Sequence, residues 1–147
     1  MFSLFKRKPE RSSLAEAIER LSASPTVLNR QTLYRELRAN DRLLFLAGPH
    51  IPKEWTAGPV TLQEATTITL LTSSAPNGGE ALLGFTSHEE VMRRNPTLGS
   101  FAMQSRAVLE LVITAGLDAL VLNPGGPWAA VPRNDIQTIL REENYAP

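Results

Sequence analysis

The sequence predicts a single α+β domain, with a mixed or antiparallel sheet built around a central hairpin and packed by several helices. Three observations carry that expectation. Apolar residues recur at helical spacing behind good capping residues in several segments. Two strand-like runs flank Asn77-Gly78-Gly79, residues that supply the positive φ angles of a tight turn. Two short apolar runs, 43–46 and 117–122, are each closed by a cluster of glycine and proline, as buried strands are.

Taken in order, residues 1–12 read as a flexible tail and 13–147 as the domain. Ser13-Leu14-Ala15-Glu16 has the form of a capping box, in which serine and glutamate each satisfy a free backbone N–H. Leu14, Ala17, Ile18 and Leu21 then fall on one helical face. Ser24-Pro25 predicts a second helix start, with serine as cap and proline in the first turn. Leu28, Leu33, Tyr34 and Leu37 are its expected buried residues. Leu43-Leu44-Phe45-Leu46 reads as a strand stopped by Gly48-Pro49, and 48–64 as irregular.

Residues 66–72 are β-branched and strand-like, and Ala81-Leu82-Leu83-Gly84-Phe85 is the returning strand of the hairpin. Thr86 with Glu89, and Ser87 with Glu90, form overlapping capping boxes for a short helix that ends before Asn95-Pro96. A stronger helix is expected over 104–115, ending at Gly116 in the left-handed conformation common after helices. Residues 117–122 form a buried strand, 128–131 an edge strand, and Asn134-Asp135-Ile136-Gln137 opens a last helix through Leu140.

Composition removes several classes of function. Hydrophobic residues make up 42% and charged residues 20%, the balance of a folded globular chain. Fifteen basic and fifteen acidic residues cancel, so no global field draws the chain to nucleic acid. The absence of cysteine removes disulfides, thiolate metal sites and cysteine nucleophiles, and fits a cytoplasmic protein. No segment approaches the run of about 18 apolar residues that spans a bilayer. At the N-terminus, Phe2, Leu4 and Phe5 precede Lys6, Arg7 and Lys8; besides a solvated tail, this pattern admits a weak membrane tether.

The hairpin, Phe85-Thr86-Ser87, the helix ending at Gly116, and the segment Leu117-Asp118-Ala119-Leu120-Val121-Leu122-Asn123-Pro124-Gly125-Gly126 occur in a particular order and spacing. Together, from about Ser24 to Leu140, they resemble the N-terminal domain of the SseB (enhanced serine sensitivity) protein family. The resemblance implies a bacterial, cytosolic α+β domain with no agreed biochemical activity and no catalytic residues to carry over.

The residues themselves offer little chemistry. A serine triad needs a histidine base, and the two histidines fall in a proline-rich loop (His50) and a first helical turn (His88). No serine has the setting of a nucleophile elbow. Zinc has no cysteine and no closely spaced histidines to bind. Glu89 and Glu90 are explained as capping groups, so no catalytic, metal or cofactor residues are expected. The expected function is a non-enzymatic interaction domain whose partner is another protein or a second copy. Trp55, Phe85, Pro127 and Trp128 are expected near one exposed apolar patch.

A second reading places a small ligand or anion at the Gly125-Gly126 turn, assisted by Arg133, because successive backbone N–H groups can cradle an anion. In that turn at least one glycine is expected at positive φ, and Asn123 is expected to bond nearby backbone. The weakest reading is an enzyme in which Asp118 and Asn123 converge with Arg106 or His88.

Overall fold

The computed structural model describes residues 13–39, 42–52, 69–75 and 78–143. The N-terminal tail, Trp55 and most of the proline-rich segment lie outside these residues. The elements run α1 (Ser13–Ala23), α2 (Val27–Arg38), β1 (Leu43–Gly48), β2 (Thr72–Ser74), β3 (Glu80–Gly84) and α3 (His88–Arg94). They continue with β4 (Gly99–Gln104), α4 (Ser105–Thr114), β5 (Ala119–Leu122), β6 (Ala129–Pro132) and α5 (Arg133–Glu143). The α+β class holds.

Strands β2, β3, β5 and β6 form one sheet in that order. β3 runs parallel to β5, and the other two pairings are antiparallel. The sheet is therefore mixed. A second, two-stranded sheet pairs β1 antiparallel to β4. The two sheets join where Phe45 and Phe85 exchange backbone hydrogen bonds of 2.7 and 2.9 Å.

Because side chains alternate across a strand, the four-stranded sheet has two unlike faces. Leu82, Leu120, Leu122 and Val131 enter a large core with residues of α1, α2, α4 and α5. Ala81, Leu83, Ala119 and Val121 enter a smaller core with Ala47, Ala75, Phe85 and Val91. Helix α1 buries the expected Leu14, Ala17, Ile18 and Leu21. Helix α4 ends in a Schellman motif: Gly116 has φ +73°, Leu117 N–H reaches the Val112 carbonyl (3.0 Å), and Gly116 N–H reaches that of Ile113 (3.1 Å).

Several local expectations change. Ser13 is already helical rather than a cap. Helix α2 is capped by Thr26, whose hydroxyl accepts from Asn29 N–H at 3.1 Å, so Ser24 and Pro25 precede the cap. Ser24 instead offers its carbonyl to the Asn29 side chain (2.9 Å). Leu28, expected inside, is 68% exposed. It stands five residues before buried Leu33, a rotation of about 140° that carries it off the buried face.

Of the strand expected over 66–72, residues 66–68 lie outside the described residues; β2 covers 72–74, and Leu71 N–H bonds the Ala47 carbonyl. β4 was not expected at all. Its sequence, Gly-Ser-Phe-Ala-Met-Gln, has weak strand propensity and runs straight into α4; pairing with β1 makes it a strand.

That pairing depends on Gly48 opposite Gly99. A Cβ on Gly99 would lie 2.4 Å from the Ile51 carbonyl oxygen, and one on Gly48 would lie 2.1 Å from that of Thr69. Both obstacles are backbone atoms. Gly99→Ala is expected to lower stability by about 1–3 kcal/mol, the range for overpacking. Gly116→Ala meets no atom within 4 Å and is expected to lose about 1 kcal/mol, from its backbone angle alone. Urea unfolding of the two variants checks both values.

Candidate functional site

Parallel strands β3 and β5 end at the same edge of the sheet, and the loops that follow them meet there. Loops at the carboxyl ends of parallel strands are where α/β sheets present ligand-binding groups. After β3 come Phe85, Thr86 and Ser87, the last capping α3 by accepting from Glu90 N–H at 3.2 Å. After β5 comes the Asn123-Pro124-Gly125-Gly126-Pro127 turn.

Asn123 holds the two loops together. Its N–H donates to the Gly84 carbonyl (2.9 Å), and its carbonyl accepts from Gly126 N–H (3.2 Å). Its side-chain Oδ1 accepts from Thr86 N–H, and its Nδ2 donates to Thr86 Oγ1, both at 3.0 Å. The residue is buried with φ +52°. Asparagine suits this position because it tolerates the left-handed region and carries both a donor and an acceptor.

The expected side-chain bonds to backbone therefore exist, but they reach across to the loop after β3. The expectation for the glycines is overturned: among the described residues only Gly78, Gly116 and Asn123 have positive φ. Asn123 itself turns the chain, so the glycines need not. A Cβ on Gly125 or Gly126 would come no closer than 3.4 Å to any atom, with only Arg93, Arg94 and Glu90 nearby. A nest needs backbone of alternating hand, which Gly125 and Gly126 do not supply.

Arg133 lies elsewhere. Its guanidinium donates to the carbonyls of Leu117 (2.8 Å) and Ile113 (3.4 Å), bracing the end of α4. The cation beside the turn is Arg93, 3.6 Å from Glu90. Phe85, expected in an exposed patch, is fully buried because its backbone splices the two sheets and its ring fills the smaller core. Trp128 is 51% exposed and follows exposed Pro127.

The residues of the enzyme reading do not form one cluster. Asp118 and Asn123 occupy opposite ends of β5, about 17 Å apart along an extended chain. Asp118 Oδ2 accepts from Glu80 N–H at 2.9 Å. Arg106 lies 3.7 Å from Glu110 on its own helix. His88 Nδ1 is 2.6 Å from the hydroxyl of buried Ser100. Among the described residues no three histidine or carboxylate groups are placed to hold a metal ion, and no helix is long and apolar enough to cross a membrane.

Thr86, expected as a cap with Glu89, is instead a site residue through its bonds to Asn123, while Ser87 caps α3. Nothing local marks that role, because the partner of Thr86 is 37 positions away. Asn123→Ala is expected to lose about 2 kcal/mol, combining a left-handed backbone without asparagine's compensation and an unpaired Thr86 N–H. Asn123→Gly is expected to lose less, since glycine accepts the positive φ. Chemical denaturation of the two variants tests the order.

No curated protein and no solved structure matches the chain significantly. The family description "SseB protein N-terminal domain" matches residues 14–138, most of the sequence. With that match spanning every strand and nearly every helix, the chain belongs to the SseB N-terminal domain family.

Proposed function

We propose that this chain is a non-enzymatic, cytoplasmic bacterial binding domain that docks a protein partner on the rim carrying Pro127 and Trp128. The observation that supports this most is Trp128, half exposed immediately after a turn pinned by Asn123. A large indole on a rigid support loses little entropy when it is covered, and tryptophan and arginine dominate the energetics of protein interfaces. Arg93 adjoins the same turn. Anion binding at the turn has lost its motive, since neither glycine has the required backbone and Arg133 is engaged elsewhere.

Trp128→Ala is expected to keep the parent's unfolding free energy, measured in urea, within about 1 kcal/mol, as a surface change should. It is also expected to weaken partner capture at least tenfold, an interface contribution of about 1.4 kcal/mol or more. A Val27→Ser, Leu28→Ser variant, altered at two exposed residues of α2, serves as the control that keeps binding. Quantitative affinity capture from bacterial extract compares the three. Equal recovery of the same proteins by parent and Trp128→Ala would sink the reading. Sedimentation of the pure proteins shows whether the partner is a second copy: a parent dimer that Trp128→Ala dissociates supports docking at this rim.

A further inference from the structure

A groove of about 480 Å³ opens at the other end of β5 from Asn123. Arg30 and Tyr34 of α2, Asp118 just before β5, and Asp135 in the first turn of α5 line it, over a floor of Ala119, Ala130 and Pro132. Arg30 and Tyr34 are four residues apart, so one helical face presents both. The volume lies within the range of small-molecule sites, and an apolar floor with a few convergent polar groups is their usual form.

The polar groups here have unused capacity. Tyr34 donates its hydroxyl to Asp135 Oδ2, and Asp118 Oδ2 accepts from the Glu80 backbone. Burial first, then the bond to Asp135 and its charge, push the Tyr34 pKa upward, so the hydroxyl remains a neutral donor at physiological pH. Among the described residues the second oxygen of each carboxylate has no donor, and neither carboxylate has a cation within 4 Å. The Arg30 guanidinium likewise meets no carboxylate at that distance. Among the described residues, groups of opposite charge thus line one cavity without a salt bridge between them.

The charges select the ligand. Two carboxylates against one guanidinium disfavour a simple anion, while an ammonium would satisfy the open oxygens with charge-assisted hydrogen bonds. The apolar floor of Ala119, Ala130 and Pro132 suits an alkyl chain. We propose that this groove binds a small aliphatic amine, its ammonium held by Asp118 and Asp135. Arg30 offers a second point of attachment to an amine that also carries an acid group. This site is separate from the Trp128 rim, and either can fail without the other.

Ligand-observed NMR on the full chain, with butylamine, butanoate and 4-aminobutanoate at millimolar concentration, tests the proposal. The expected result is binding of butylamine and not of butanoate. Asp135→Asn keeps an acceptor for Tyr34 while removing the charge, and is expected to weaken amine binding about tenfold. Asp118→Asn likewise keeps an acceptor, here for Glu80 N–H, and should do the same; if the variant does not fold, Asp135→Asn decides alone. Arg30→Gln reads the ligand type. Selective weakening of 4-aminobutanoate assigns the site to an amino acid-like molecule, and equal binding of both amines assigns it to a plain amine. The proposal is overturned if no amine binds, if butanoate binds as well as butylamine, or if a folded Asp135→Asn protein binds amine like the parent.

Discussion

The parallel pairing of β3 with β5 is the constraint on which the rest of the structure depends. Parallel neighbours cannot be joined by a tight turn, so the chain must travel through α3, β4 and α4 before β5 can form. The pair is clamped at both ends. At the entrance, Asp118 N–H donates to the Glu80 carbonyl (2.8 Å) while its carboxylate accepts from Glu80 N–H. At the exit, Asn123 donates to Gly84 and exchanges side-chain bonds with Thr86. Between the clamps all four residues of β5 are buried. A one-residue slip would move its leucines to the smaller, alanine-rich face and leave both polar clamps without partners.

The two faces of the sheet explain the distribution of the helices. Leucine and valine on one face need bulky cover, which α1, α2, α4 and α5 supply. Alanines dominate the other, where Phe85 and Val91 pack with Ala47. The smaller core is completed by splicing the β1–β4 pair to the end of β3 through Phe45 and Phe85. At the edge of the larger sheet, β6 has only four residues and ends in proline, both of which discourage addition of another strand. The two candidate sites then lie at opposite ends of β5: a turn with Trp128 at one, and a groove lined by charged side chains at the other.

Local signals in the sequence did well where the physics is local. The Ser87 cap, the stop at Asn95, the left-handed Gly116 and the turn at Gly78 all depend on residues a few positions apart. They did less well where two local solutions compete. Ser24 and Thr26 are both good caps, and the backbone chose Thr26, which placed Leu28 in solvent. Gly125 and Gly126 looked like the left-handed residues of their turn, but Asn123 took that conformation because Thr86 was there to satisfy its side chain.

The sequence by itself determined the α+β class, the order of most elements, the family and the lack of a recognisable reactive motif, because periodicity, capping and turn chemistry are written in neighbouring residues. Only the tertiary structure decided that β4 is a strand and that Phe85 is internal. It also decided that Asn123 bonds Thr86, and that Arg30, Tyr34, Asp118 and Asp135 share one groove. Tyr34 and Asp135 are 101 positions apart. Such contacts depend on how the sheet and helices close over one another, and no spacing along the chain encodes that distance.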